Sequence, residues 1–87
     1  MNKENQININ ELENVSGGTI TSDQAYAAAL KDAKVAKANA SLKKNKLDRD
    51  DGRLVYEVEF VSGATEYEYD IDAATGAVIS ASHDLWD

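Results

Sequence analysis

The sequence predicts an α+β fold: one N-terminal helix packed on a small antiparallel sheet of about four strands. Three observations predict it. An alanine-rich run after Thr21 places small apolar residues at helical spacing. Two later segments, 53–61 and 65–72, alternate apolar and polar residues with period two. A turn signal, Ser62-Gly63, lies between them. With 87 residues, the chain has room for a single domain.

The helix start is legible. Thr21-Ser22-Asp23-Gln24 forms a capping box, in which Thr21 accepts from the Gln24 amide and Gln24 answers to the Thr21 amide. Ile20 is placed to staple onto Ala25. The helix is expected from Ser22 to about Ala36. Ala25, Ala28, Ala29 and Ala33 share a stripe, and such small side chains let a helix lie close on a sheet. Lys31, Asp32 and Lys34 fall on the solvated side.

Ser41 to Leu47 reads as a strand, but Leu42 and Leu47 differ in parity, which leaves its facing open. Asp48-Arg49-Asp50-Asp51-Gly52 follows as a turn. Its acids suggest a calcium loop, and Glu59 falls at the twelfth position. Glycine arrives one residue early, however, and the second half would have to be a strand, so the turn is preferred. In the next strand Leu54, Tyr56, Val58 and Phe60 share one face. Tyr67, Tyr69 and Ile71 do the same in the strand after it. A two-residue Ser62-Gly63 turn sets Phe60 opposite Thr65, Val58 opposite Tyr67, Tyr56 opposite Tyr69 and Leu54 opposite Ile71. Ala73 to Gly76 is a turn and Ala77 to Ser82 a short last strand, with His83 on the surface beyond it. Tyr56, Tyr67 and Tyr69 are read as core-edge residues with solvated hydroxyls. Leu85 and Trp86 are expected to fold back onto a sheet edge, with a C-terminal recognition tag as the alternative.

The polar face of the hairpin carries Glu57, Glu59, Glu66, Glu68 and Asp70. In the expected register Glu59 faces Glu66 and Glu57 faces Glu68, and like charges so placed cost stability. Three readings are open. The face is solvated and relieved by Lys43, Lys44 and Lys46, it docks a basic partner, or it takes calcium. The net charge of −7 argues against a nucleic-acid or anionic-membrane partner. No apolar run approaches the roughly 20 residues of a membrane helix. Residues 1–6 also lack the apolar core of a secretory signal peptide. There is no Cys and one His, so no catalytic site, metal site or cofactor is expected.

Two resemblances sharpen this reading. Tyr56 and Val58, then Tyr67, Ile71, Asp72 and Ala73, then Thr75, Gly76 and Val78 resemble the pattern of the PepSY domain. That pattern is a Tyr-x-Val strand, a Tyr-x-x-x-Ile-Asp-Ala strand and a Thr-Gly-x-Val turn, after a helix with spaced alanines. The resemblance implies a module that restrains or assists an extracellular peptidase, and it brings no catalytic residue. Members often have Gly near the position of Lys34, so the helix exit is expected to differ. Residues 1–18 resemble a double-glycine leader. Gly17-Gly18 stand at the cut, Val15, Leu12 and Ile7 supply the spaced aliphatics, and Glu11 the acidic position. The aliphatics would dock as one face of an induced helix. This implies a flexible leader over 1–18, cleavage before Thr19, and a peptidase-containing ABC exporter as partner. The remaining PepSY-like domain, 19–87, would then be secreted from a cytoplasmic precursor. The alternative is a bacteriocin-like or signalling protein that uses the fold as a carrier.

Overall fold

The chain enters the folded structure through a backbone bond from the Ile20 amide to the Ala73 carbonyl, 2.7 Å long. The computed structural model describes residues 18–85. Helix α1 spans Ser22–Ala33. The strands are β1 (Ser41–Asp50), β2 (Arg53–Ser62), β3 (Thr65–Asp72) and β4 (Val78–Leu85), and a short 3-10 turn covers Lys37–Asn39. The strands pair antiparallel in the order β1-β2-β3-β4. The helix covers one face of this sheet, as the sequence predicts. No helix among the described residues is long and apolar enough to cross a membrane.

The capping box forms as expected. The Gln24 amide donates to Thr21 Oγ1 at 3.1 Å, and the Thr21 amide donates to Gln24 Oε1 at 2.8 Å. Ala25 and Ala29 are fully buried, but Tyr26 and Leu30 share the buried face with them while Ala28 and Ala33 are only partly covered. The core-facing stripe is therefore rotated from the all-alanine stripe. The helix also ends three residues earlier than expected. Lys34 takes the left-handed conformation (φ 61°, ψ 41°), and its amide bonds back to the Leu30 and Lys31 carbonyls. A glycine would hold this cap without the Cβ clash. Lys34→Gly is therefore expected to raise stability by about 1 kcal/mol, read as a rise of about 4–8 °C in the thermal midpoint. An unchanged or lower midpoint would contradict that cap.

The first two hairpins turn on the conformation of glycine. Asp51-Gly52 joins β1 to β2 with both residues at positive φ (53° and 78°), the type I′ geometry that Asp-Gly favours. This turn takes two residues, and β1 runs on to Asp50, three residues beyond the expected end. Between β2 and β3 the central residues are Gly63-Ala64, with Ser62 paired to Thr65. Gly63 has φ 60° and Ala64 does not have positive φ, the pattern of a type II′ turn with Gly first. The expected Ser62-Gly63 turn is thus one residue early, and every cross-strand partner moves by two. Phe60 faces Tyr67, Val58 faces Tyr69 and Tyr56 faces Ile71. A shift of two preserves which face each side chain takes, so the division into core and polar faces survives.

A register shift between Leu42 and Lys44 settles the parity of β1. Leu42 pairs with Phe60 and Leu47 with Tyr56, so both lie on the helix side despite their odd spacing. At the other end, Asp72 shows why the Ile-Asp-Ala and Thr-Gly segments belong together. Its carboxylate accepts from the Ala74 and Thr75 amides (2.8 and 3.3 Å), and its carbonyl accepts from the Gly76 amide at 2.7 Å. Gly76 sits at φ 81°, and a Cβ there would meet Ile20 at 3.8 Å. Ala73 is fully buried and links Leu54 to Ile20 through its own backbone. Strand β4 continues past Ser82 to Leu85, so His83 lies within it. Leu85 does not fold back onto an edge; it ends the strand with 77% of its surface exposed. Trp86 lies outside the described residues.

Candidate functional site

The open face of the sheet collects its carboxylates by strand periodicity. On β2 it presents Glu57 and Glu59, on β3 Glu66, Glu68 and Asp70, and on β4 Asp84. The revised register changes who faces whom. Glu59 stands opposite Glu68, Glu57 opposite Asp70, and Glu66 opposite Val61 on one side and Asp84 on the other. A shallow depression of about 240 Å³ lies among Glu57, Glu59, Glu68, Asp70, Ser80 and Ser82. Ser80 Oγ donates to Asp70 Oδ2 at 3.0 Å.

Relief comes from β1, whose facing the sequence left open. Lys44 Nζ is 2.9 Å from Glu57 and 3.8 Å from Glu59. The hydrogen bond to Glu57, together with the nearby carboxylates, raises the Lys44 ammonium above its usual range. Glu68 is exposed, and its carboxylate lies within 4.8 Å of those of Glu59 and Glu66. Those three carboxylates lie on one flat face and close only one side of a cation, so they lack the enclosing oxygens that calcium takes. Glu68→Lys is expected to stabilise the domain by about 0.2–1 kcal/mol in low salt, because it turns a facing repulsion into an attraction. The gain should shrink as salt screens it, and a loss measured by denaturant unfolding would refute this facing. Glu57 is the wrong position for that exchange, because replacing it breaks the contact with Lys44.

The other face is aromatic beside the helix end. Tyr69 is buried, and its hydroxyl donates to Asp32 Oδ2 at 3.0 Å. The Tyr56 hydroxyl donates to the Ile20 carbonyl at 2.9 Å. These two hydroxyls are therefore bonded within the protein rather than solvated, and Asp32 has a structural partner. Burial first, then the bond to Asp32, pushes the Tyr69 hydroxyl up to about 12. Between pH ~10 and ~12 the folded chain keeps a proton that the unfolded chain releases. Stability is therefore full below pH ~10 and falls as pH rises through ~12. Tyr69→Phe should flatten that alkaline decline in a series of denaturant melts; an identical slope would place its cause elsewhere.

His83 lies on this aromatic side, its ring 6.1 Å from that of Tyr67, and so on the opposite side of the sheet from the carboxylates. The chain's one imidazole and its acidic cluster are thus held apart. Of the predicted leader positions, Ile7, Glu11, Leu12, Val15 and Gly17 lie outside the described residues. Gly18 and Thr19 are exposed just ahead of the anchored Ile20. Asp32 and Asn45 had no legible role in the sequence, and Lys44 was legible only as one of three candidates with Lys43 and Lys46. Asn45 Nδ2 donates to the Ser22 carbonyl at 2.9 Å and ties β1 to the helix start.

Comparison with known proteins agrees with this geometry. The model of the "Peptidase propeptide and YPEB domain" family, PepSY, matches residues 19–81. "Uncharacterized protein Spy1430" of Streptococcus pyogenes serotype M6 (strain ATCC BAA-946 / MGAS10394) is 41% identical over 63 residues, which are 72% of this chain and 48% of that protein. The crystal structure of a "putative lipoprotein (CD1622)" from Clostridium difficile 630 superposes with a TM-score of 0.64 at 24% identity, covering 80% of this chain and 43% of that one. The chain thus spans about half the length of these relatives. The family match takes in α1, β1, the strands β2 and β3 that carry the Tyr-x-Val and Ile-Asp-Ala segments, the Thr75-Gly76 turn and most of the acidic face, and over residues 19–81 the chain belongs to the PepSY family.

Proposed function

We propose that the chain is the precursor of a small exported PepSY binding module. A peptidase-containing ABC exporter cuts between Gly18 and Thr19, and residues 19–87 then act outside the cell on an extracellular peptidase, which they restrain or assist. The observation that carries this reading is a junction: the double-glycine pattern ends at Gly18 and the PepSY match begins at residue 19. A structural neighbour named as a lipoprotein supports an envelope or extracellular setting. The acidic sheet face is the surface offered to the peptidase, and its charge selects a basic patch. The test adds the processed protein to peptidases from the producing culture's supernatant and follows protein-substrate hydrolysis. A changed rate that returns towards control as salt rises is expected. Unchanged hydrolysis, with growth or gene expression of neighbouring cells altered instead, would favour the bacteriocin-like or signalling carrier.

A further inference from the structure

The two edges of the sheet are built differently. Edge strand β1 carries Lys43, Lys44, Lys46, Asp48, Arg49 and Asp50 and has its register broken after Leu42, and such devices discourage strand addition. Edge strand β4 carries a single formal charge at neutral pH, Asp84, and every one of its residues is exposed. Val78, Ile79 and Leu85 on this strand are 38%, 42% and 77% exposed, although they are large and apolar. Among the described residues nothing guards this edge, and an open edge with apolar ends is a template for another strand.

We propose that β4 pairs antiparallel with β4 of a second copy of this chain, about a twofold axis at Ser82, to give one continuous eight-stranded sheet. The register follows from the faces. Tyr67 and Tyr69 pair with His83 and Ala81 on the helix side, while Glu66, Glu68 and Asp70 pair with Asp84, Ser82 and Ser80 on the open side. A partner strand must match face to face, so shifts by one residue are excluded. With the axis at Ser82, Ala81 meets His83 of the second copy and Ser80 meets Asp84. Leu85 meets the Val78-Ile79 end, where the β3–β4 pairing skips Ile79. An axis at Ala81 sets Asp84 against Val78 and carries Leu85 past the strand to Ala77. An axis at His83 sets the two imidazoles opposite each other and strands Val78 and Ile79.

The charge of −7 on each copy opposes association, but the strand order keeps the acids apart. Carboxylates on β3 of the two copies are three strand spacings, about 14 Å, from each other. The two Asp84 residues are four residues apart along the seam, also about 14 Å. Both distances exceed the roughly 8 Å screening length at physiological salt. The pairing is therefore expected to tighten as salt rises, the opposite of an acidic face meeting a basic partner.

The chain has no cysteine, so single-cysteine variants of the full chain report the seam without background. Opposed antiparallel residues lie about 4.5–5.5 Å apart at Cα, within disulfide reach. Under mild oxidation Ser82→Cys should form a covalent dimer at least tenfold faster than Ser80→Cys, whose copies lie about 14 Å apart, and than Ser41→Cys on β1. In sedimentation, wild-type mass should rise from 9.5 kDa towards twice that value with concentration, and further with added sodium chloride. Ser82→Lys, which sets like charges opposite each other at an exposed position, should remain monomeric with an unchanged circular dichroism spectrum. A wild-type monomer at millimolar concentration would overturn the proposal. So would crosslinking at Ser41→Cys or Ser80→Cys that matches Ser82→Cys.

Discussion

Phe60→Ala is expected to remove about 3–5 kcal/mol of stability, the largest loss available from one side chain in this domain. Phe60 is fully buried near the C-terminal end of β2, between Leu42 on β1 and Tyr67 on β3. Its ring stacks on Tyr67 at 4.9 Å, lies 6.1 Å from Tyr69 and meets the edge of Tyr26 at 5.8 Å. It is thus the residue through which helix and sheet share one core. Truncation removes the transfer energy of the ring and leaves a cavity that three aromatic neighbours cannot easily fill. A domain this small holds only about 0.05–0.15 kcal/mol per residue, so the variant should be largely unfolded at physiological temperature. Phe60→Leu keeps much of the volume and should cost far less. Thermal melts followed by circular dichroism decide it: a drop smaller than about 10 °C for the alanine variant would show that the core is centred elsewhere.

The division of the sheet into a core face and an acid face was legible because it depends only on period two. A register error of two residues leaves it intact. The register itself was harder to read, since Ser62-Gly63 and Gly63-Ala64 are both two-residue turns containing Gly63. What separates them is which central position takes positive φ, and the structure gives it to the first. The capping box was legible because its partners are three residues apart and act locally. The helix end was not, because Lys34 holds a left-handed cap without the glycine that usually marks one. Strand β4 looked shorter than it is. Its exposed residues show no alternation, and pairing with β3 alone extends it to Leu85.

The same limits apply to the candidate site. Glu57, Glu59, Glu66, Glu68 and Asp70 could be collected from alternation alone. Lys44 could not be chosen over Lys43 or Lys46 as the principal contact of Glu57, because the irregularity after Leu42 hides the facing of β1. Asp32 looked solvated on a helical wheel, yet it holds the Tyr69 hydroxyl, a contact between residues far apart in sequence. Long-range pairs of this kind leave no local pattern.

Gly17→Val and Leu12→Asp are each expected to abolish cleavage by a double-glycine exporter peptidase, with a fall of 100-fold or more, on the order of 2.7 kcal/mol in transition-state binding. Valine puts a branched side chain where the resemblance implies a narrow cleft, and aspartate puts a charge where it implies apolar docking of Leu12. The folded domain leaves room for such a cut. Gly18 has nothing within 4 Å of the position a Cβ would take, and Gly18 and Thr19 are both exposed. Ile20, the next residue, is already held by Ala73 and by the hydroxyl of Tyr56. Only Thr19 would therefore lie between the proposed cut and the anchored chain, and a peptidase cutting there would have to grip its substrate mainly from residues 1–18. Two glycines inserted between Thr19 and Ile20 should then leave the rate unchanged or raise it, while both leader substitutions stop the reaction. Mass spectrometry of the precursor incubated with the peptidase domain reads all three variants, and the wild-type product should begin at Thr19. Normal cutting of the valine and aspartate variants, or a product that begins elsewhere, would remove the leader from this chain's function and leave only its PepSY domain to explain.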